Sequence, residues 1–165
     1  MAQNLLLESL NELPLRHFEP GEIVIEKGAN SGQLYFLANG SVEVSKNDVE
    51  IGKVSEIGAV FGEMALLLYS QHTATVRADK PCDFYVVEKP KEFLITHPEV
   101  AVYIGEVLAT RLNYINNCLV DIKSEFKEYV AHFSAVDTAL ETVMKTKPGI
   151  IEHHGPSPTS VKSRE

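Results

Sequence analysis

Along residues 15–88 short apolar runs alternate with turn residues, and after Pro90 the turn residues all but vanish. "EIVIE" (22–26) follows Pro20-Gly21, "GQLYFLA" (32–38) follows the loop from Gly28 to Gly32, and "SVEVS" (41–45) comes directly after Asn39-Gly40. Such runs bounded by Gly, Pro and Asn predict strands. Asn and Gly both tolerate positive φ, so Asn39-Gly40 predicts a two-residue type I′ hairpin. "VEIGKVSEIGAVFG", "TATVRA" and "DFYVVE" continue the series to residue 88. Short antiparallel strands at regular spacing predict a mainly β fold with flanking helices, an antiparallel jelly-roll β-barrel followed by a long C-terminal helix. The N-terminal "MAQNLLLESLNELPL" predicts a short amphipathic helix rather than a signal peptide, since it lacks a basic flank and a long apolar core.

From Lys91 to Lys147 the chain reads as helix, with Pro98 near a helix start, where its missing N–H costs little. Leu108, Leu112, Ile115, Leu119, Ile122, Phe126, Tyr129, Phe133, Val136, Leu140 and Val143 fall at alternating steps of four and three, a heptad seam. A continuous helix over this stretch would be roughly 65–70 Å long at 1.5 Å per residue, longer than a small β domain. Its distal part would then need a partner, either a second copy in a parallel coiled coil through residues 108–143 or its own chain folded back near Ser134 to Asp137. Both Ser134 and Asp137 can cap a new helix. Pro148-Gly149 ends the helical texture, and "IEHHGPSPTSVKSRE" reads as a disordered tail in which His153 and His154 are solvated. The expected organisation is a β-roll with its N-terminal helix over 1–97, a long helix over 98–147 and a tail over 148–165.

The 165 residues suffice for one domain with a hydrophobic core and a modest extension. An apolar fraction of 44% and a charged fraction of 23% are those of a soluble protein, and no apolar run approaches the roughly 18–20 residues that cross a bilayer. Cys82 and Cys118 lie far apart without metal-ligand spacing, which predicts reduced thiols and a cytoplasmic protein with no metal. The net charge of −8 argues against a nucleic-acid surface, because phosphate binding draws on clustered Lys and Arg. A local anion site is still compatible with it.

Such a site is suggested by "FGEMALLLYSQHTATVRAD" (61–79). Phe61-Gly62 leaves a strand, Glu63 to Leu68 has the composition of one to two helical turns, and "TATVRA" returns as a strand. A helix start presents free N–H groups to an anion, and Gly62 lets a ligand come close to the backbone. Glu63 would repel an anion unless the ligand also carries a hydroxyl that the carboxylate can accept.

An anion beside a sugar hydroxyl suggests a nucleotide, and here the chain resembles the cyclic nucleotide-binding domain family shared by catabolite activator-type regulators, protein kinase A regulatory subunits and gated channels. The resemblance covers roughly residues 5–130 and is carried by "PGEIVIEKGANSGQLYFLANGSVEV", by the cassette "FGEMALLLYSQHTATVRA" and by "HPEVAVYIGEVLATRL". It implies cAMP or cGMP as a regulatory ligand contacted by Phe61, Gly62, Glu63, Met64, Ala65, His72, Thr73 and Ala74. The backbone of Gly62 to Ala65 would meet the cyclic phosphate, Glu63 would accept the ribose 2′-hydroxyl, and Thr73 would touch phosphate or base. The helix beginning near Pro98 would supply a lid.

The arginine that the family sets against the phosphate would stand nine residues after this glutamate, where the chain has His72. Arginine brings a permanent charge and a planar fork, whereas histidine offers one donor and an ordinary pKa near ~6.5. Losing a desolvated charge pair costs about 2–5 kcal/mol. Three outcomes stay open: weak phosphate binding by a protonated His72, a different small ligand, or a degenerate domain kept for dimerisation or docking. Arg77 falls on the opposite strand face and reads as a surface charge. The resemblance implies a non-enzymatic sensor that signals through its long helix to a protein effector. The helix-turn-helix domain of the family's transcription regulators finds no room in this chain, so it is expected to bind no DNA by itself.

Overall fold

The computed structural model describes residues 2–125 and 134–145, with side chains described over 6–125 and 136–145. Within them, β1 (Leu15–Phe18), β8 (Cys82–Val87), β3 (Leu34–Asn39) and β6 (Val60–Phe61) form one four-stranded sheet in that order. A second sheet runs β2 (Ile23–Ile25), β7 (Thr75–Ala78), β4 (Val42–Lys46), β5 (Val49–Val54). Every pairing is antiparallel. The helices are α1 (Ala2–Leu10), α2 (Glu63–Leu68), α3 (Pro90–Thr96), α4 (Pro98–Glu125) and α5 (Ser134–Lys145).

The two sheets face each other because each strand turns alternate residues inward. Tyr35, Leu37, Val42, Phe61, Val76, Phe84 and Val86 form that inner core. Phe84 sits at its centre, edge-on to Phe18, Tyr35 and Phe61 at centroid distances of 5.8, 6.2 and 5.9 Å. The first sheet is buried on its other face as well. Leu34, Phe36, Val60 and Val87 pack with Leu6 and Leu10 of α1 and Val100 and Ile104 of α4. This explains why "LYFL" is apolar at every position rather than at alternate ones.

Asn39-Gly40 departs from the hairpin expectation. β3 and β4 lie in different sheets, so this dipeptide carries the chain across the roll instead of turning it back. Only Gly40 has positive φ, and a Cβ there would stand 2.2 Å from the Pro81 carbonyl oxygen. The glycine serves close passage past the β7–β8 connection. The two-residue hairpin is at Asn47-Asp48, with φ of 52° and 62° and Lys46 paired to Val49. A second local difference concerns β7, which begins at Thr75, leaving Thr73 and Ala74 in the preceding loop.

Beyond Pro98 the helix is not one straight rod. Lys123 Nζ is ion-paired to Asp137 Oδ1. Fourteen residues of continuous helix would separate these positions by roughly 21 Å along the axis, which favours the folded-back alternative. Along the apolar stripe of α4, Val100 and Ile104 are buried, while Leu112, Ile115 and Ile122 are exposed. The chain divides into two compact units at Leu112/Asn113. Phe126, Tyr129 and Phe133 of the heptad seam, and the tail with His153 and His154, lie outside the described residues. Among the described residues no helix is long and apolar enough to cross a membrane, and no group of three or more His, Cys, Asp or Glu is arranged to hold a metal.

Candidate functional site

The cassette is held at both ends. β6 pairs Phe61 with Tyr35, and Gly62 then turns at φ 91° into α2. A Cβ on Gly62 would lie 2.6 Å from the Gln33 carbonyl oxygen and 3.6 Å from His72 Cε1. Positive φ and the close backbone both demand glycine here. The helix ends at Tyr69, itself left-handed at φ 52°, with the Ser70 N–H bonded back to the Ala65 carbonyl at 3.1 Å.

Glu63, the first residue of α2, has a side chain only 5% exposed. Its Oε1 accepts a hydrogen bond from Arg111 Nη1 of α4 at 2.7 Å, and Arg111 Nη2 reaches the Val60 carbonyl at 3.5 Å. Burial pushes the Glu63 carboxyl above its ordinary value, while the Arg111 charge and hydrogen bond pull against that rise. The arrangement ties the start of the cassette helix to the long helix by a charge-assisted bond.

His72 is 6% exposed and oriented by the loop between β2 and β3. Its N–H donates to the Ala29 carbonyl at 2.9 Å, and its own carbonyl accepts from Gly28 N at 2.8 Å. Nε2 shares a 2.8 Å hydrogen bond with the Ser31 hydroxyl. Burial lowers the His72 pKa below 6.5, so the imidazole is neutral at pH 7. Phe61 is buried in the core, Ala74 is half-buried, and Met64 and Thr73 are exposed. Arg77 lies on the surface, its Nη1 donating to the Gly21 carbonyl at 2.7 Å.

Glu63, Gly62 and His72 are thus gathered around one short helix, as their spacing suggested. Arg111 and Ser31 were missed. They lie 48 and 41 residues from their partners, so local pattern carries no trace of either bond. One signal for Arg111 was available: it is a cation set between Leu108 and Leu112 on the roll-facing stretch of the helix.

Residues 15–94 match the cyclic nucleotide-binding domain family. The potassium/sodium hyperpolarization-activated cyclic nucleotide-gated channel 2 of Mus musculus is 32% identical over 114 residues, 68% of this chain and 13% of the channel. Channel 4 of Oryctolagus cuniculus shows the same identity over 68% of this chain and 10% of its own length. The chain therefore spans a small part of these relatives. Among solved structures, the Thermus thermophilus catabolite activator protein superposes with a TM-score of 0.62 at 22% identity, over 73% of this chain and 59% of that one. The PKAR CBD2 structure with bound Sp-2Cl-cAMPS gives 0.53 at 21% identity, over 72% and 87%. The fold is that of the catabolite activator's antiparallel roll with flanking helices, and the chain belongs, through residues 15–94, to the cyclic nucleotide-binding domain family.

Proposed function

We propose that this chain is the sensing module of a cyclic nucleotide-responsive regulator, with cAMP or cGMP as its ligand at the cassette and no catalytic role. The observation that supports it most is the buried Glu63 carboxylate bonded to Arg111. Keeping a carboxylate ionised out of water is costly, and it serves a purpose here if a ligand hydroxyl is to be accepted beside it. The ribose 2′-hydroxyl would donate to Glu63, and the backbone from Gly62 to Ala65 would meet the phosphate. Phe61, Met64, Thr73 and Ala74 would border the ligand, and His72 would approach the phosphate as imidazolium.

Arg111 gives this binding an output. Any ligand that shares Glu63 alters the bond anchoring α4, and α4 carries the exposed Leu112, Ile115 and Ile122 through which a second copy or a protein effector would be engaged. A second reading, a degenerate domain kept as an interaction module, draws support from one observation: the His72 ring is buried and bonded to the Ser31 hydroxyl rather than set beside a charged group.

Calorimetric titration of the full chain with cAMP and cGMP at pH 6.0 and pH 8.0 separates the two. A sensor shows saturable binding in the range of about 0.1–1 mM, tighter at pH 6.0. The sign follows from the lowered pKa of free His72: phosphate must draw a proton onto the ring, so affinity falls as pH rises from the free pKa toward the raised, ligand-bound one. No heat with either nucleotide at millimolar concentration would leave the interaction module.

A further inference from the structure

Past Ile104 no described residue of the chain is buried. α5 covers one side of α4: Lys123 is ion-paired to Asp137, and Leu119 on α4 and Val136 and Leu140 on α5 are half-buried. About 100° round α4 from the side of Asn116, Leu119 and Lys123, at 3.6 residues per turn, a second stripe runs Arg111, Ile115, Cys118, Ile122 and Glu125, at steps of four, three, four and three. Ile115 and Ile122 are 54% and 43% exposed, and Tyr114 beside them 69%. One helix laid against another buries a single side of it, so the pairing with α5 leaves this stripe open.

We propose that this stripe is an interface with a second copy of the chain, α4 packed antiparallel on α4 about a two-fold axis at Cys118. The order of its residues is the reason. Arg111 and Glu125 each lie seven residues from Cys118, and Ile115 and Ile122 lie three and four residues from it, so the stripe read backwards is itself with the charges exchanged. Two copies running in opposite directions set Arg111 of each against Glu125 of the other, and Ile115 against Ile122. The same stripe paired in parallel would set Arg111 against Arg111 and Glu125 against Glu125, like charges at both ends.

Both charges are available for such a contact. Arg111 gives Nη1 to Glu63 at 2.7 Å, yet 44% of its side chain is exposed and a guanidinium carries five N–H groups. Glu125 has no ion pair among the described residues, whereas the nearby Lys123 is already taken by Asp137. The apolar part of the stripe is about 10 Å long, seven residues at 1.5 Å each, which suits one crossing helix. A partner of a single charge would satisfy one end and be repelled at the other; a second copy matches both. The proposal names the occupant of the output surface assigned above to α4 and rests on that reading of the helix, not on nucleotide binding at the cassette.

Sedimentation velocity of the full chain, reduced and without nucleotide, tests the interface from micromolar to millimolar concentration. Expected is a reversible equilibrium between monomer and dimer with a dissociation constant of about 10–100 µM, the class of a small contact. Glu125→Gln decides the direction. It takes an attraction from each end of the antiparallel pair and should weaken the dimer about fivefold, whereas from a parallel pair it would take a repulsion and tighten it. Ile122→Asp, at an exposed position, should weaken the dimer by more than about tenfold. A bismaleimide linker of about 10 Å reach, the spacing of packed helices, should join Cys118 to Cys118, since Cys82 is buried. A monomer at every concentration, an unchanged or tighter dimer in Glu125→Gln, an unchanged one in Ile122→Asp, or no link through Cys118 would each overturn the interface. With no nucleotide present, its failure leaves binding at the cassette untouched, and a failed nucleotide titration leaves the dimer standing.

Discussion

Glu63 opens the cassette helix and His72 follows four residues after its last residue in sequence, with its ring beside Gly62, and their surroundings solve the same problem in opposite ways. Both are buried polar groups, 4% and 6% exposed as residues. Glu63 receives a cation, Arg111, at 2.7 Å; His72 receives a neutral hydroxyl, Ser31, at 2.8 Å. A carboxylate is charged at neutral pH unless its pKa is raised by several units, so it needs a counter-charge to be buried. An imidazole can simply shed its proton. The difference teaches that the free cassette has invested its one permanent charge pair in the bond to α4, and that the histidine end stays neutral until something asks for its proton.

The largest effect is expected from the residue both ends share. Gly62→Ala puts a Cβ 2.6 Å from the Gln33 oxygen at φ 91°, and should lower stability by about 2–4 kcal/mol in chemical denaturation. A loss under about 1 kcal/mol would mean that the cassette start is far softer than its geometry implies.

Arg111→Ala acts on the Glu63 end alone. With the Arg111 side chain 44% exposed, a loss of about 1–3 kcal/mol at pH 7 is expected, below the figure for a fully buried pair. Glu63 has a folded pKa raised above 4.5 by burial, so its ionisation disfavours the fold as pH rises from 4.5 through the folded value. Removing Arg111 raises that value further. The gap between variant and parent should therefore widen with rising pH and close on acidification. In addition, Glu63→Gln should rescue much of the Arg111→Ala loss; simple additivity in the double-mutant cycle would show that the two do not interact.

His72→Arg gives the other end the permanent charge it lacks. Nucleotide affinity should rise about 10- to 100-fold, and its dependence on pH between 6 and 8 should flatten. Unchanged affinity would count against the phosphate being near residue 72. The smallest effect belongs to Ser31→Ala, about 0.5–1.5 kcal/mol for a hydrogen bond between neutral groups. Above pH 7 that loss should be constant, because the His72 ring, with its pKa lowered by burial, is neutral there.

The apolar and polar pattern reported the β-roll well where each strand has one buried face. It misplaced the hairpin, because Asn-Gly is equally suited to a tight turn and to a chain passing close to another. The collision of a Cβ with Pro81 is visible only once β8 is in place. The cassette was legible because Gly62, Glu63 and His72 belong to one continuous stretch. The heptad seam stated that α4 wants an apolar partner without saying which, and the Lys123–Asp137 pair argues that part of the answer is α5.

By itself, the sequence determined strand alternation, the helical texture after Pro90 and the absence of an arginine at position 72, each of which depends on neighbours a few residues away. Tertiary structure alone decided which charge each of these groups carries and what holds it. Charge state is a matter of burial and of partners at 3 Å, and for Glu63 and His72 those partners come from segments more than 40 residues away.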